Sequence, residues 1–66
     1  MQPKYPDIYV QLSGEDGNAL SVIGRASSAM RRARVPADEI IAFFKEATSG
    51  DYDHTIQTVM KWVNVS

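Results

Sequence analysis

Cysteine is absent from the 66 residues, and histidine occurs once, as His54. The first absence excludes disulfides and thiolate metal sites; the second leaves any metal centre or acid–base pair a single imidazole to draw on. Long apolar runs are missing too, so no stretch reaches the roughly 20 residues that a membrane-spanning helix needs. Residues 1–6, Met-Gln-Pro-Lys-Tyr-Pro, have nothing like the apolar segment of a signal peptide. A soluble cytoplasmic protein with no membrane partner is the expectation. Nor is charge of one sign in excess. Seven basic and eight acidic residues leave a net charge of −1, which is not a global electrostatic design for nucleic acid or an anionic membrane.

What is present suits a globular chain: 44% hydrophobic and 23% charged residues lie outside the disordered range. Residues 1–66 form one small domain at most, near the lower limit for folding alone. Without a disulfide or a metal, stability must come from a well-packed core, from a partner subunit, or from both. No internal repeat or low-complexity tract divides the chain.

Residues 1–6, with Pro3 and Pro6, read as an extended N-terminal arm. Asp7–Leu12 then alternates with period two. Ile8, Val10 and Leu12 fall on one face, and Tyr9, Gln11 and Ser13 on the other. The turn formers Ser13-Gly14-Glu15-Asp16-Gly17-Asn18 end this strand, and Asp16 or Asn18 is placed to cap a helix starting near Ala19. There Ala19, Ile23, Ala26, Met30 and Ala33 make an apolar stripe flanked by Val22 and Ala29, and the helix stops around Arg34, ahead of Pro36. A second helix carries Ile40, Phe44 and Ala47, widened by Ile41 and Phe43. It ends at Thr48-Ser49-Gly50, where Gly50 is expected to adopt a left-handed cap. Asp51 or Asp53 caps a third, with Ile56, Val59, Met60 and Val63 at ideal helical spacing. Trp62–Ser66 alternates again, as a short terminal strand or as the end of that helix. Pairing with residues 7–12 would satisfy the backbone groups of an otherwise lone strand. The expected fold is therefore α+β, in the order β-α-α-α-β. Its expected core is Ile8, Val10, Leu12, Ile23, Met30, Ile40, Phe44, Ile56, Val59, Met60 and Trp62.

Three segments, Asp16-Gly17-Asn18-Ala19, Glu46-Ala47-Thr48-Ser49-Gly50-Asp51-Tyr52-Asp53-His54 and Thr58-Val59-Met60-Lys61-Trp62-Val63, together resemble a family of small uncharacterised proteins of bacteria and bacteriophages. The run from Glu46 to His54 is the most distinctive part. The resemblance implies a bacterial or phage context; the family has no established activity, so no site residue is carried over.

Four features invite a functional reading. Arg25, Arg31, Arg32 and Arg34 suit phosphate contact, yet most charges sit where they complement helix dipoles: acids at Glu15, Asp16, Asp38, Glu39, Asp51 and Asp53, bases at Arg31, Arg32, Arg34, Lys45 and Lys61. Helix-end stabilisation is the favoured account, with Lys4, Asp7, Arg25 and Glu46 left over. Asp51-Tyr52-Asp53-His54 gathers two carboxylates and an imidazole, but neighbours at a helix start diverge around the axis. Capping by Asp, packing by Tyr52 and an exposed His54 without a Ser or Thr to activate are expected instead. The Gly14–Asn18 turn lacks a phosphate-binding lysine and carries acids where phosphate would sit. Last, Ser21, Gly24 and Ser28, with Ser27 beside them, form a small-residue ridge on the first helix. Gly24 costs about 1 kcal/mol against alanine there, so it is either tolerated or lets another backbone approach, from this domain or from a partner.

No catalytic constellation, metal site or cofactor emerges. The expected function is a non-enzymatic protein-interaction module, with a homodimer or a host or phage protein as partner. Its candidate surface is Tyr9, Gln11, Ser21, Gly24, Arg25, Ser28 and Arg32. The alternative is nucleic-acid binding through Arg25, Arg31, Arg32 and Arg34, or through a ribbon–helix–helix-like strand. An enzyme relying on His54 comes third.

Overall fold

The computed structural model of the chain describes residues 2–12 and 18–65. The elements follow the order β1 (Tyr5–Val10), α1 (Ala19–Arg32), α2 (Ala37–Ala47), α3 (Tyr52–Trp62) and β2 (Val63–Val65). This is the expected β-α-α-α-β arrangement. β1 and β2 pair in parallel to form a two-stranded sheet, and the three helices form the crossover between them. Parallel neighbours need such a long connection.

β1 starts earlier than the alternation predicts and ends earlier as well. Tyr5 and Pro6 belong to the strand, not to a loose arm, and Gln11 and Leu12 lie beyond it. The cause is tertiary. The Lys4 N–H donates to Lys61 O at 2.8 Å, and the Tyr5 ring stacks on Trp62 with centroids 6.2 Å apart. Pro6 offers no N–H, and the ladder is irregular between Tyr5 and Tyr9, where the Asn64 side-chain amide donates to Pro6 O. β2 starts at Val63, directly after α3; Trp62 is the last helical residue rather than a strand residue.

Helix ends follow local chemistry. Asn18 caps α1, its Oδ1 accepting from Leu20 N–H at 2.9 Å; the other expected cap, Asp16, lies with Ser13, Gly14, Glu15 and Gly17 outside the described residues. At the far end Val35 N–H donates to Met30 O and Arg34 N–H to Arg31 O, both at 3.0 Å. That is a Schellman closure with Arg34 at φ 66°, a left-handed position that usually holds glycine. Met30 and Val35, which flank it, both join the core. α2 starts behind Pro36, whose carbonyl accepts from Glu39 and Ile40. Asp51 caps α3 through a bond from His54 N–H at 2.9 Å.

The core joins Val10 and Val63 of the sheet to Val22, Ile23, Ala26 and Met30 of α1, Phe43 and Ala47 of α2, and Val59 and Trp62 of α3. Two expectations fail here. Phe43, at 0% exposure, occupies the place given to Phe44, which is 48% exposed; Met60 is also exposed. Phe43 meets the Trp62 ring edge-on at 5.7 Å, a contact available only to the residue facing α3. Thr55 and Thr58 are buried polar residues whose hydroxyls are satisfied by Ala47 O at 2.8 Å and His54 O at 2.8 Å.

Candidate functional site: a groove between β1 and α1

The surface residues of β1 and α1 converge on one feature. Tyr9 and Gln11 from the strand end face Ser21, Gly24, Arg25, Ser28 and Arg32 across a groove of about 560 Å³. These are all seven candidate surface residues. The spacing of the helical ones, three or four apart, keeps them on one side of α1, while Val22, Ala26 and Met30 turn inward. Arg25 reaches across, its Nη1 donating to Gln11 O at 3.3 Å. Ser13, the third outward residue of the predicted strand, lies outside the described residues.

The groove continues along the strand. A second hollow shares Tyr9, Ala29 and Arg32 with it, and a third shares Asp7, Ile8 and Ala33 with the second, reaching Lys4 and Val35. β2 lines none of the three, so the channel follows the side of β1 away from β2. Among the described residues no strand pairs with that side. Tyr9, 71% exposed, lines both of the first two hollows.

Gly24 sits on the outward crest of α1. A Cβ added there would meet nothing within 4 Å, so among the described residues no element uses the glycine for close approach.

The arginines are split by the fold. Arg25 and Arg32 line the groove, Arg34, in the loop after α1, lines the third hollow beside β1, and Arg31 turns toward α2. Arg31, Arg32, Arg34 and Lys45 make no ion pair with any described residue. Three of the four charges that helix ends left unexplained have definite partners, Arg25 among them through Gln11 O. Glu46 bonds Lys61 Nζ at 2.6 Å and the Trp62 indole N–H at 3.1 Å, and these bonds hold its carboxyl below the usual range. Lys4 pairs with Glu39, lies 4.6 Å from the Trp62 ring centre, and is raised in pKa chiefly by its bond to Glu39. Glu39 is lowered by that bond and by the Tyr5 hydroxyl, which donates to it at 3.0 Å.

The run from Glu46 to His54 forms the corner between α2 and α3. Against expectation, the His54 side chain is half-buried, and its Nε2 lies 2.8 Å from Glu46 O, 3.0 Å from Ser49 Oγ and 3.5 Å from Thr58 Oγ1. A carbonyl only accepts, so Nε2 carries the proton and donates to Glu46 O. The Ser49 hydroxyl donates to the same oxygen at 2.7 Å. Both protons therefore point at the helix end, and that nitrogen has no lone pair with which to activate the serine. Gly50 is not left-handed as predicted; its place is set by His54, whose ring and Cβ lie 2.8–3.0 Å from where a Cβ at residue 50 would stand. Tyr52 lies exposed rather than packed. Asp51 is engaged as the α3 cap, and among the described residues no cluster of three His, Asp or Glu is placed to hold a metal ion. None of the helices is long and apolar enough to cross a membrane.

No protein-family model, curated protein or solved structure matches the chain.

Proposed function

We propose that the protein is a non-enzymatic interaction module that receives an extended segment of a protein partner along the free side of β1. The observation that carries this reading is the run of three adjoining hollows along a side of β1 with which no described strand pairs, walled by small and cationic residues of α1. A strand edge offers N–H and C=O groups to an incoming backbone, and flanking side chains supply selectivity. Ser21, Gly24 and Ser28 leave room for that backbone, Tyr9 is an exposed aromatic anchor, and Arg32 favours acidic side chains on the partner. A second copy of this chain is one such partner. In keeping with the family resemblance, the partner is taken to be a bacterial or phage protein in the cytoplasm.

Ser28→Trp fills the channel from an exposed position, so folding should be preserved. In a tagged pull-down from bacterial lysate, the native protein should retain a partner that resists nuclease, and Ser28→Trp should lose it. A capture that disappears with nuclease, or that survives Ser28→Trp, would sink this reading. Light scattering distinguishes a second copy, because a dimer held here must dissociate in the same variant.

Nucleic-acid binding is the second reading, favoured by Arg25 and Arg32 lying beside Tyr9 and Gln11 in one groove. Duplex DNA titrated at low and moderate salt decides it. Phosphate contact requires affinity that falls steeply with salt.

A further inference from the structure

The opposite flank of α1 carries a second groove of different chemistry. Leu20, Ile23 and Ser27 face Ile40, Ile41 and Phe44 of α2 across a trough of about 510 Å³. Leu20 is 66% and Ile41 55% exposed, and Phe44 adds a half-exposed ring, which together make an apolar patch with no cover among the described residues. Arg31 and Lys45 line the same trough, and neither pairs with a described carboxylate.

We infer that this trough docks an acidic amphipathic helix of a partner protein. Its walls are two helices whose backbone groups are already bonded within themselves. An extended occupant would lay unpaired amides against apolar side chains, whereas a helix satisfies its own. Gly24 and Ser27 form a low ridge into which another helix can settle. From Leu20 to Arg31 the seat is about 16 Å long at helical rise, or roughly three turns. The cations fix the sign of the occupant: acids beside its apolar stripe would meet Arg31 and Lys45. A second copy applying the same face would bring the same two cations against them, which disfavours a symmetric dimer here. The inference rests on the reading of the protein as an interaction module but uses the other flank of α1, which shares only Gly24 with the β1 groove.

The test uses a synthetic amphipathic peptide of about four turns, with leucines at i, i+3, i+4 and i+7 and glutamates flanking them, and a second peptide with lysine for every glutamate. Followed by NMR on the full chain, the glutamate peptide should shift the amides of Leu20, Gly24, Ile41 and Phe44, and the lysine peptide should bind at least about tenfold more weakly. Phe44→Ser, at an exposed position, should abolish binding with the fold intact, and Arg31→Glu with Lys45→Glu should reverse the preference. Ser28→Trp should leave the affinity unchanged, so failure here and failure of the β1 channel are separable. Several results would overturn the inference: no shifts, equal binding of both peptides, shifts at Tyr9 and Gln11 instead, or a dimer that Phe44→Ser dissolves. Tight binding to phosphatidylglycerol vesicles, lost in Phe44→Ser, would assign the patch to a lipid surface and overturn it equally.

Discussion

Phe43 and Phe44 are adjacent, chemically identical and opposite in fate. Sequence periodicity centres the α2 stripe on Ile40, Phe44 and Ala47, and one step around the helix separates that choice from the observed one. The burial of Phe43 depends on where Trp62 stands, and Trp62 is eighteen positions on from Phe44. Because Phe43 has no exposed surface, Phe43→Ala should cost about 3–5 kcal/mol, most of the stability of a domain this size. Phe44→Ala should cost under about 1 kcal/mol, since its ring already meets water. Chemical denaturation of the two variants checks the pair; a larger loss from Phe44 would mean the helix is rotated from the position described.

At the scale of elements, the α2–α3 corner shows how a distinctive sequence run can be accounted for without a catalytic site. Thr48, Ser49, His54 and Thr55 all direct hydrogen bonds at carbonyls ending α2, while the Asp51 side chain caps the start of α3. Gly50 makes room for the imidazole between them. Gly50→Ala should destabilise the fold by about 1–3 kcal/mol through the clash with His54. The double variant Gly50→Ala, His54→Ala should recover part of that loss, because the second change removes the obstructing ring. Additive losses in thermal denaturation would remove His54 as the cause. Helix starts and stops were legible in the sequence here, since Asn18, Pro36 and Asp51 act on backbone groups within a few residues of themselves. The role of Gly50 was not legible. A left-handed cap and a close contact both select glycine, and only the placed imidazole distinguishes them.

For the whole molecule, two carboxylates join distant parts. Glu46 of α2 binds Lys61 and Trp62 at the end of α3, and Glu39 of α2 binds Lys4 and Tyr5 at the start of β1. Both have lowered pKa values, so their contribution is fully present above the ordinary glutamate value of about 4.3 and is lost as pH falls through the folded value. Stability should therefore decline on acidification below about pH 4.3. Glu46→Gln should flatten that decline and cost roughly 0.5–1.5 kcal/mol at neutral pH. Urea unfolding at pH 7 and at several acidic pH values measures both effects; an unchanged acid slope would show that Glu46 is not the group responsible.

The candidate groove was partly legible as well. Period-two alternation placed Tyr9 and Gln11 outward, and helical spacing grouped Ser21, Gly24, Arg25, Ser28 and Arg32, so all seven could be named one element at a time. That the two groups face each other is a consequence of packing α1 beside β1. The sequence by itself determined the kinds and order of the elements, most of their caps, and the outward faces of β1 and α1, because periodicity and capping are local interactions. Tertiary structure alone decided the parallel direction and register of the β1–β2 pairing, the choice of Phe43 over Phe44, and the separation of Arg31 from Arg25 and Arg32. Each of these depends on contacts between residues far apart in the chain, whose geometry exists only once the three helices have packed.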